Sequence, residues 1–151
     1  MYLVVIKIID YENLIFTAVA NALRARYPEW FVTPLVNTRG IITGDIAPIP
    51  SSFPAVAIEE IDNSTHTRTL DTSRKENHAV ILYQVEHYSN RATGRKSQCK
   101  ELRAVVDDVM QNFGFRRLST PPTPQPSPTI YRLTARYQAI VSNDGKVYKG
   151  R

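Results

Sequence analysis

The stretch Glu76–Asn90, ENHAVILYQVEHYSN, decides how the chain folds. From Asn77 to Ser89 it holds Ala79, Val80, Ile81, Leu82, Tyr83, Val85 and Tyr88 with no Gly or Pro. β-Branched and aromatic enrichment of this kind predicts a long strand. By the period of two, Ala79, Ile81, Tyr83 and Val85 share one face, which should be buried. Gln84 and Glu86 fall on the other, so the far half of the strand is expected to keep one wet face. The polar turn Ser89-Asn90-Arg91-Ala92-Thr93-Gly94 then leads into a long amphipathic helix. A long strand feeding a long helix is the unit on which the other segments must pack.

The helix should span Arg95 to Phe113. Cys99, Leu102, Val105, Val106, Val109, Met110 and Phe113 make its apolar stripe, and Gly114 sits where a left-handed C-terminal residue belongs. Its charges are misplaced against the helix dipole. Arg95 and Lys96 open it and Asp107 and Asp108 approach its end, each at a cost on the order of 0.3–1 kcal/mol. Either surface charge tolerates this, or something outside the subunit compensates.

Upstream, Met1–Ile9 reads as an edge strand or arm, and residues 10–151 as one domain. Met1–Ile9 is short, is interrupted by Lys7 and lacks a small-residue cleavage site, which argues against a signal peptide. Asp10 is a plausible cap for a helix to about Arg26 with the stripe Leu14, Ile15, Ala18, Val19, Ala22 and Leu23, stopped by Pro28. Trp30–Asn37 reads as a strand confined by Pro34 to an edge or bulge. Thr38–Ser52, with Gly40, Gly44, Pro48 and Pro50, reads as a loop with room for a short hairpin. Phe53–Ile61 is the next strand, and the polar Asp62–Lys75 a second long loop.

Downstream, Phe115–Leu118 starts a strand. Ser119–Pro128, STPPTPQPSP, places five prolines in ten residues and predicts a stiff loop. Ile130–Val141 alternates cleanly, with Tyr131, Leu133, Ala135, Tyr137, Ala139 and Val141 against Arg132, Thr134, Arg136 and Gln138. Asn143-Asp144-Gly145 is a hairpin signal before a short last strand at Lys146–Lys149. The expected class is α+β: a mostly antiparallel, mixed sheet with two α-helices packed on one face, and long loops.

Length and composition fit a single soluble globular domain of 151 residues, 42% hydrophobic and 22% charged. No apolar run reaches a membrane span. The single cysteine excludes an internal disulfide, and the chain reads as cytosolic. Net charge is +5, unevenly divided. Residues 1–90 carry seven Lys/Arg against ten Asp/Glu, a net −3, and residues 91–151 twelve against four, a net +8. This asymmetry fits a nucleic-acid surface, two complementary faces of one subunit, or chance.

Catalytic chemistry is hard to find. No Gly-rich phosphate loop is present. His66 with Asp62 supplies two metal ligands but no third at a ligand spacing. His78 and His87 lie on opposite faces of one strand, at its rims, and cannot converge. Glu59 and Glu60 likewise alternate. Cys99 has Lys96 and Lys100 nearby but falls in register with Leu102 and Val106, as a core thiol does. The expectation is no enzyme, no cofactor and no metal. Arg91, Arg95, Lys96, Lys100, Arg103, Arg116 and Arg117 form a candidate basic patch, and Arg132 and Arg136 share a strand face. No aromatic stacking platform accompanies them, which leaves only sequence-blind contact with nucleic acid.

Taken in order, FPAVAIEEIDNSTHTRTLD, ENHAVILYQVEHYSN, GRKSQCKELRAVVDDVMQNFGFRR and IYRLTARYQAIV resemble the small tail terminator, or tail completion, proteins of long-tailed bacteriophages and prophages. The likeness runs from about Asp10 to Tyr148. It rests on a Phe-Pro strand, an Asp-Asn turn, the Glu-Asn-His strand, a Tyr-Ser-Asn turn, Gly-Phe after the helix and a Tyr-Arg strand. Met1–Ile9 and the longer Thr38–Ser52 depart from the pattern. The resemblance implies a virion protein of the tail and neck, assembled in the host cytoplasm as a ring, commonly a hexamer. Such a ring caps the tail tube and joins it to the head. Its partners would be its own copies, the tail tube protein and a head–tail connector or stopper, with genomic DNA passing through the bore without sequence recognition. No membrane is involved. The subunit, tube or neck contacts are expected at Asp62, Arg68, Arg95, Lys96, Arg116, Arg117, Pro121, Pro122, Pro124, Arg132 and Arg136. Another neck component (adaptor or stopper) and a sequence-independent nucleic-acid-binding domain are the alternatives.

Overall fold

The computed structural model describes residues 12–31, 41–44, 50, 52–65, 78–120, 122, 124–142 and 147–148. Expectations for Met1–Ile9, the Asp10 cap and the Asn143-Asp144-Gly145 turn fall outside them. In chain order the elements are α1 (Glu12–Arg26), β1 (Ile41–Thr43), β2 (Ala55–Thr65), β3 (His78–Ser89), α2 (Arg95–Asn112), β4 (Arg116–Leu118), β5 (Tyr131–Ser142) and β6 (Val147–Tyr148). The strands form one sheet in the order β1-β2-β3-β5-β4, with β6 also on β5. β2, β3, β5 and β4 pair antiparallel, and β1 runs parallel to β2. The class is α+β, as the alternation patterns predict.

β3 is the centre. Ala79, Ile81, Tyr83 and Val85 are all fully buried on the face that receives both helices. Ile15, Val19 and Leu23 of α1, Leu102, Val106 and Met110 of α2, and Ala135, Tyr137 and Ala139 of β5 complete this core. Each large apolar side chain removed from water there contributes about 1.5–3 kcal/mol before entropy is counted. Helix α2 ends at Phe113, followed by Gly114 at φ 89°. That left-handed turn is one glycine adopts without a Cβ penalty.

Several boundaries differ from the expectations. Leu14 belongs to no core stripe: it is 51% exposed, because the buried line of α1 runs through Ile15, Val19 and Leu23. Trp30 and Phe31 lie in the turn after α1 rather than opening a strand. Tyr27 and Trp30 stack there, with ring centroids 4.0 Å apart. Ile41–Thr43, expected in a loop or hairpin, is a strand parallel to β2. β2 continues through Asp62, Asn63, Ser64 and Thr65, where the sequence reads as loop. A bulge between Glu60 and Asp62 keeps it paired with Ala79–Leu82, and pairing with so long a neighbour overrides weak strand propensity.

The second face of β3 is not wet at its Ser89 end. Glu86 is 3% exposed and Tyr88 is fully buried, beside Ala55 and Ala57 of β2. Thr134 Oγ1 and Gln84 Nε2 donate to the two oxygens of Glu86, at 2.6 and 2.8 Å. Arg132 Nε lies 3.8 Å from the same carboxylate. A strand pattern counts polarity, whereas a carboxylate with cross-strand donors can be buried.

Candidate assembly surfaces

The strand order converts the charge asymmetry of the sequence into a spatial one. β1 and β2, with α1 against β2, occupy one side of the sheet, and β5 and β4 the other, with α2 over β3 and β5. Between residues 12 and 65 the described residues include five Asp/Glu and two Lys/Arg; between 91 and 142 they include nine Lys/Arg and three Asp/Glu. The acidic and basic halves therefore stand on opposite sides of β3.

Both edges are closed by side chains. At the β2 edge, Glu60 N–H donates to Glu12 Oε2 at 3.3 Å, so a carboxylate from α1 takes the place of a neighbouring strand. At the β5 edge, beyond the end of β4, Gln125 meets Arg132 with both ends of its amide. Arg132 N–H donates to Gln125 Oε1 at 2.6 Å, and Gln125 Nε2 donates to Arg132 O at 3.1 Å. The Arg132 guanidinium in turn donates to Pro124 O at 2.8 Å. The proline-rich loop is thus tied to the sheet by a pseudo-strand contact one side chain long. Pro122 and Pro124 are exposed along it.

The candidate residues separate into those already engaged within the chain and those that face outward. Arg95 Nη1 donates to Arg91 O at 2.7 Å, and its Nη2 to Pro128 O at 3.3 Å. Its charge at the α2 N-terminus therefore serves to cap preceding carbonyls and hold the proline loop. Asp107, misplaced toward the helix end, meets Arg117 at 2.6 Å and accepts a hydrogen bond from the buried Tyr137 hydroxyl. Compensation for Asp107 comes from β4 and β5, inside the subunit. Lys96, Arg116 and Asp62 are exposed. Arg136 is exposed too, with Nε donating to Gln84 Oε1 at 3.1 Å. Register places Arg116, Leu118, Arg136 and Gln84 on the face opposite the helices. Arg68 and Pro121 lie outside the described residues. Glu12 and Gln125, which close the edges, carried no sequence signal: one reads as a helix-start acid, the other as a polar residue among prolines.

His87 is fully buried beneath α2 rather than at a strand rim. Its Nδ1 donates to Leu133 O at 2.8 Å, while Nε2 is buried without a hydrogen bond. Burial pushes the imidazole down to about 4, the Leu133 carbonyl opposes this, and the Arg103 charge adds to the depression. Cys99 is the core thiol its register predicts. It donates to His87 O at 3.4 Å, and burial pushes it up to about 12. Burial also raises Tyr137, with Asp107 accepting from its protonated form. Among the described residues no three His, Cys, Asp or Glu side chains group as metal ligands. No helix there is long and apolar enough to cross a membrane.

The chain matches no protein-family model and no curated protein.

Proposed function

We propose that this protein is a structural component of a long-tailed phage or prophage virion: a tail terminator that closes into a ring on the tail tube and joins it to the head. The bore of that ring passes DNA without reading its sequence. Support comes from the ordered run of segments that resembles this family. The observation that carries the reading is the separation of net-acidic and net-basic halves to the two sides of β3. A ring built by head-to-tail contacts needs two different, mutually complementary surfaces on each subunit. The proline-rich segment between β4 and β5, with Pro122 and Pro124 exposed, supplies material for contacts above or below the ring.

The test is solution mass by light scattering together with negative-stain images of any large species. Rings, expected to be hexamers, support the proposal. One observation favours a second reading: exposed Arg116 and Arg136 share a sheet face with Gln84 and Gln138. A protein that stays monomeric at high concentration and binds DNA with a steep loss of affinity as salt rises would replace the ring with a nucleic-acid-binding domain.

A further inference from the structure

The core and both helices lie on one face of the sheet. The register gives the residues of the opposite face. Its Ser89 end is closed, with Glu86 and Tyr88 buried. From Val80 to Gln84 it is open: Val80, Leu82, Gln84, Gln138 and Ile140 are each partly exposed. Across this open part the charges are ordered. One cross-strand row reads Glu59, Gln84, Arg136, Leu118, and the next Asp62, Leu82, Gln138, Arg116. Acid stands on β2, uncharged side chains on β3, and base on β5 and β4. With strands about 4.8 Å apart, Glu59 and Arg136 stand about 10 Å from each other on the sheet. None of Glu59, Asp62, Arg116 and Arg136 is in an ion pair with another described residue.

From this antisymmetry about β3 we infer that the occupant of the open face is the same face of a second copy of this chain, related by a two-fold axis along β3. Such an axis lies in the plane between the two sheets and lays β2 of each copy over β5 of the other. Glu59 then faces Arg136 of the partner subunit. Asp62 faces Gln138 of the partner subunit, with the next strand's Arg116 within a side chain's reach. Leu82 and Gln84 meet their own copies at the axis. A two-fold axis across the strands would set acid on acid and base on base, so charge selects the orientation.

The face can be covered at low cost. Gln84 already uses both ends of its amide: Oε1 accepts from Arg136 Nε at 3.1 Å, and Nε2 donates to Glu86 at 2.8 Å. Leu82, with Val80 and Ile140 beside it, supplies the apolar centre, and the charges form the rim. Exposed ion pairs contribute little each, so the apolar centre holds the contact and the rim orients it. A patch four strands wide falls at the small end of specific interfaces, so the pairing depends on concentration. The inference does not rest on the ring. Lys96 and Lys100, exposed on α2, take no part in it and stay available to a head-to-tail contact. A ring whose subunits show their open faces on one side would pair with a second ring.

Full-length wild type is followed by sedimentation velocity up to about 1 mM, where a Kd of that order still shows. A reversible dimer of twice the 17.1 kDa chain is expected, or paired rings where rings close. A protein monomeric throughout overturns the inference. Single rings that never pair overturn it and leave the ring standing, whereas dimers without rings uphold it and count against the ring. Leu82→Lys and Leu82→Glu, checked for folding by circular dichroism, should each associate at least about tenfold more weakly. Their equimolar mixture should regain association, because only a contact centred on β3 brings this position against itself. A mixture that stays dissociated overturns the inference. Glu59→Lys tests the orientation, and decides alone if the Leu82 variants lose their fold. Weaker pairing is expected, and unchanged or stronger pairing overturns the placement of Glu59 against Arg136.

Discussion

His87 shows what a single residue sets. Its folded state favours the neutral imidazole, with the value near 4 against 6.5 for an unburied histidine. Between these values the unfolded chain binds a proton that the folded chain refuses. Stability from His87 is therefore fully present above about pH 6.5, drains as pH falls toward 4 and is flat below. The interval corresponds to about 3 kcal/mol. Urea unfolding at pH 7, 5 and 4 should show this loss. His87→Asn, which keeps a donor for the Leu133 carbonyl, should flatten the profile. Equal slopes in both proteins would remove His87 as the cause. The sequence placed His87 on the correct strand and missed its burial, because position along a strand does not tell which end a helix crosses.

At the scale of elements, the join between α2 and the β4–β5 pair turns on Asp107. Replacing it with Ala leaves the buried Tyr137 hydroxyl without its acceptor, at an expected cost of about 1–3 kcal/mol. Arg117, with its side chain 43% exposed, adds little of that. A double-mutant cycle with Tyr137→Phe checks this: the Ala cost should shrink markedly in the Phe background, and additive losses would show no coupling. The elements themselves were legible where period and length agree. β3, α2 and β5 appear at or within a residue or two of their expected bounds. Ile41–Thr43 and the Asp62–Thr65 extension were not legible, since both exist through pairing with a neighbour rather than through their own composition. The acidic and basic residues of the two candidate surfaces were visible in the sequence. Their separation to opposite sides of β3 was not, because it follows from strand order.

For the whole molecule, the β1-β2-β3-β5-β4 order keeps the first half of the chain on one side and the second on the other. Among the described residues the two sides are tied by the shared core, the ladder between β3 and β5, the packing of α1 on α2 and the contacts where helix ends meet. One such meeting point is a four-tier stack. Arg26 lies 4.6 Å over the Tyr27 ring, Tyr27 lies parallel to Trp30, and Arg91 lies 4.7 Å over Trp30. Arg26 ends α1, and Arg91 belongs to the turn that leads into α2. Trp30 is the only tryptophan in the chain. Intrinsic emission excited at the red edge therefore comes from this joint alone, and the protein carries its own optical gauge of how the two halves sit. Arg91→Ala should shift the emission maximum while changing the melting temperature little, in keeping with a cation–π contact of about 0.5–1 kcal/mol. During unfolding, an emission change that precedes the loss of far-ultraviolet dichroism would mark the parting of the halves as the first event.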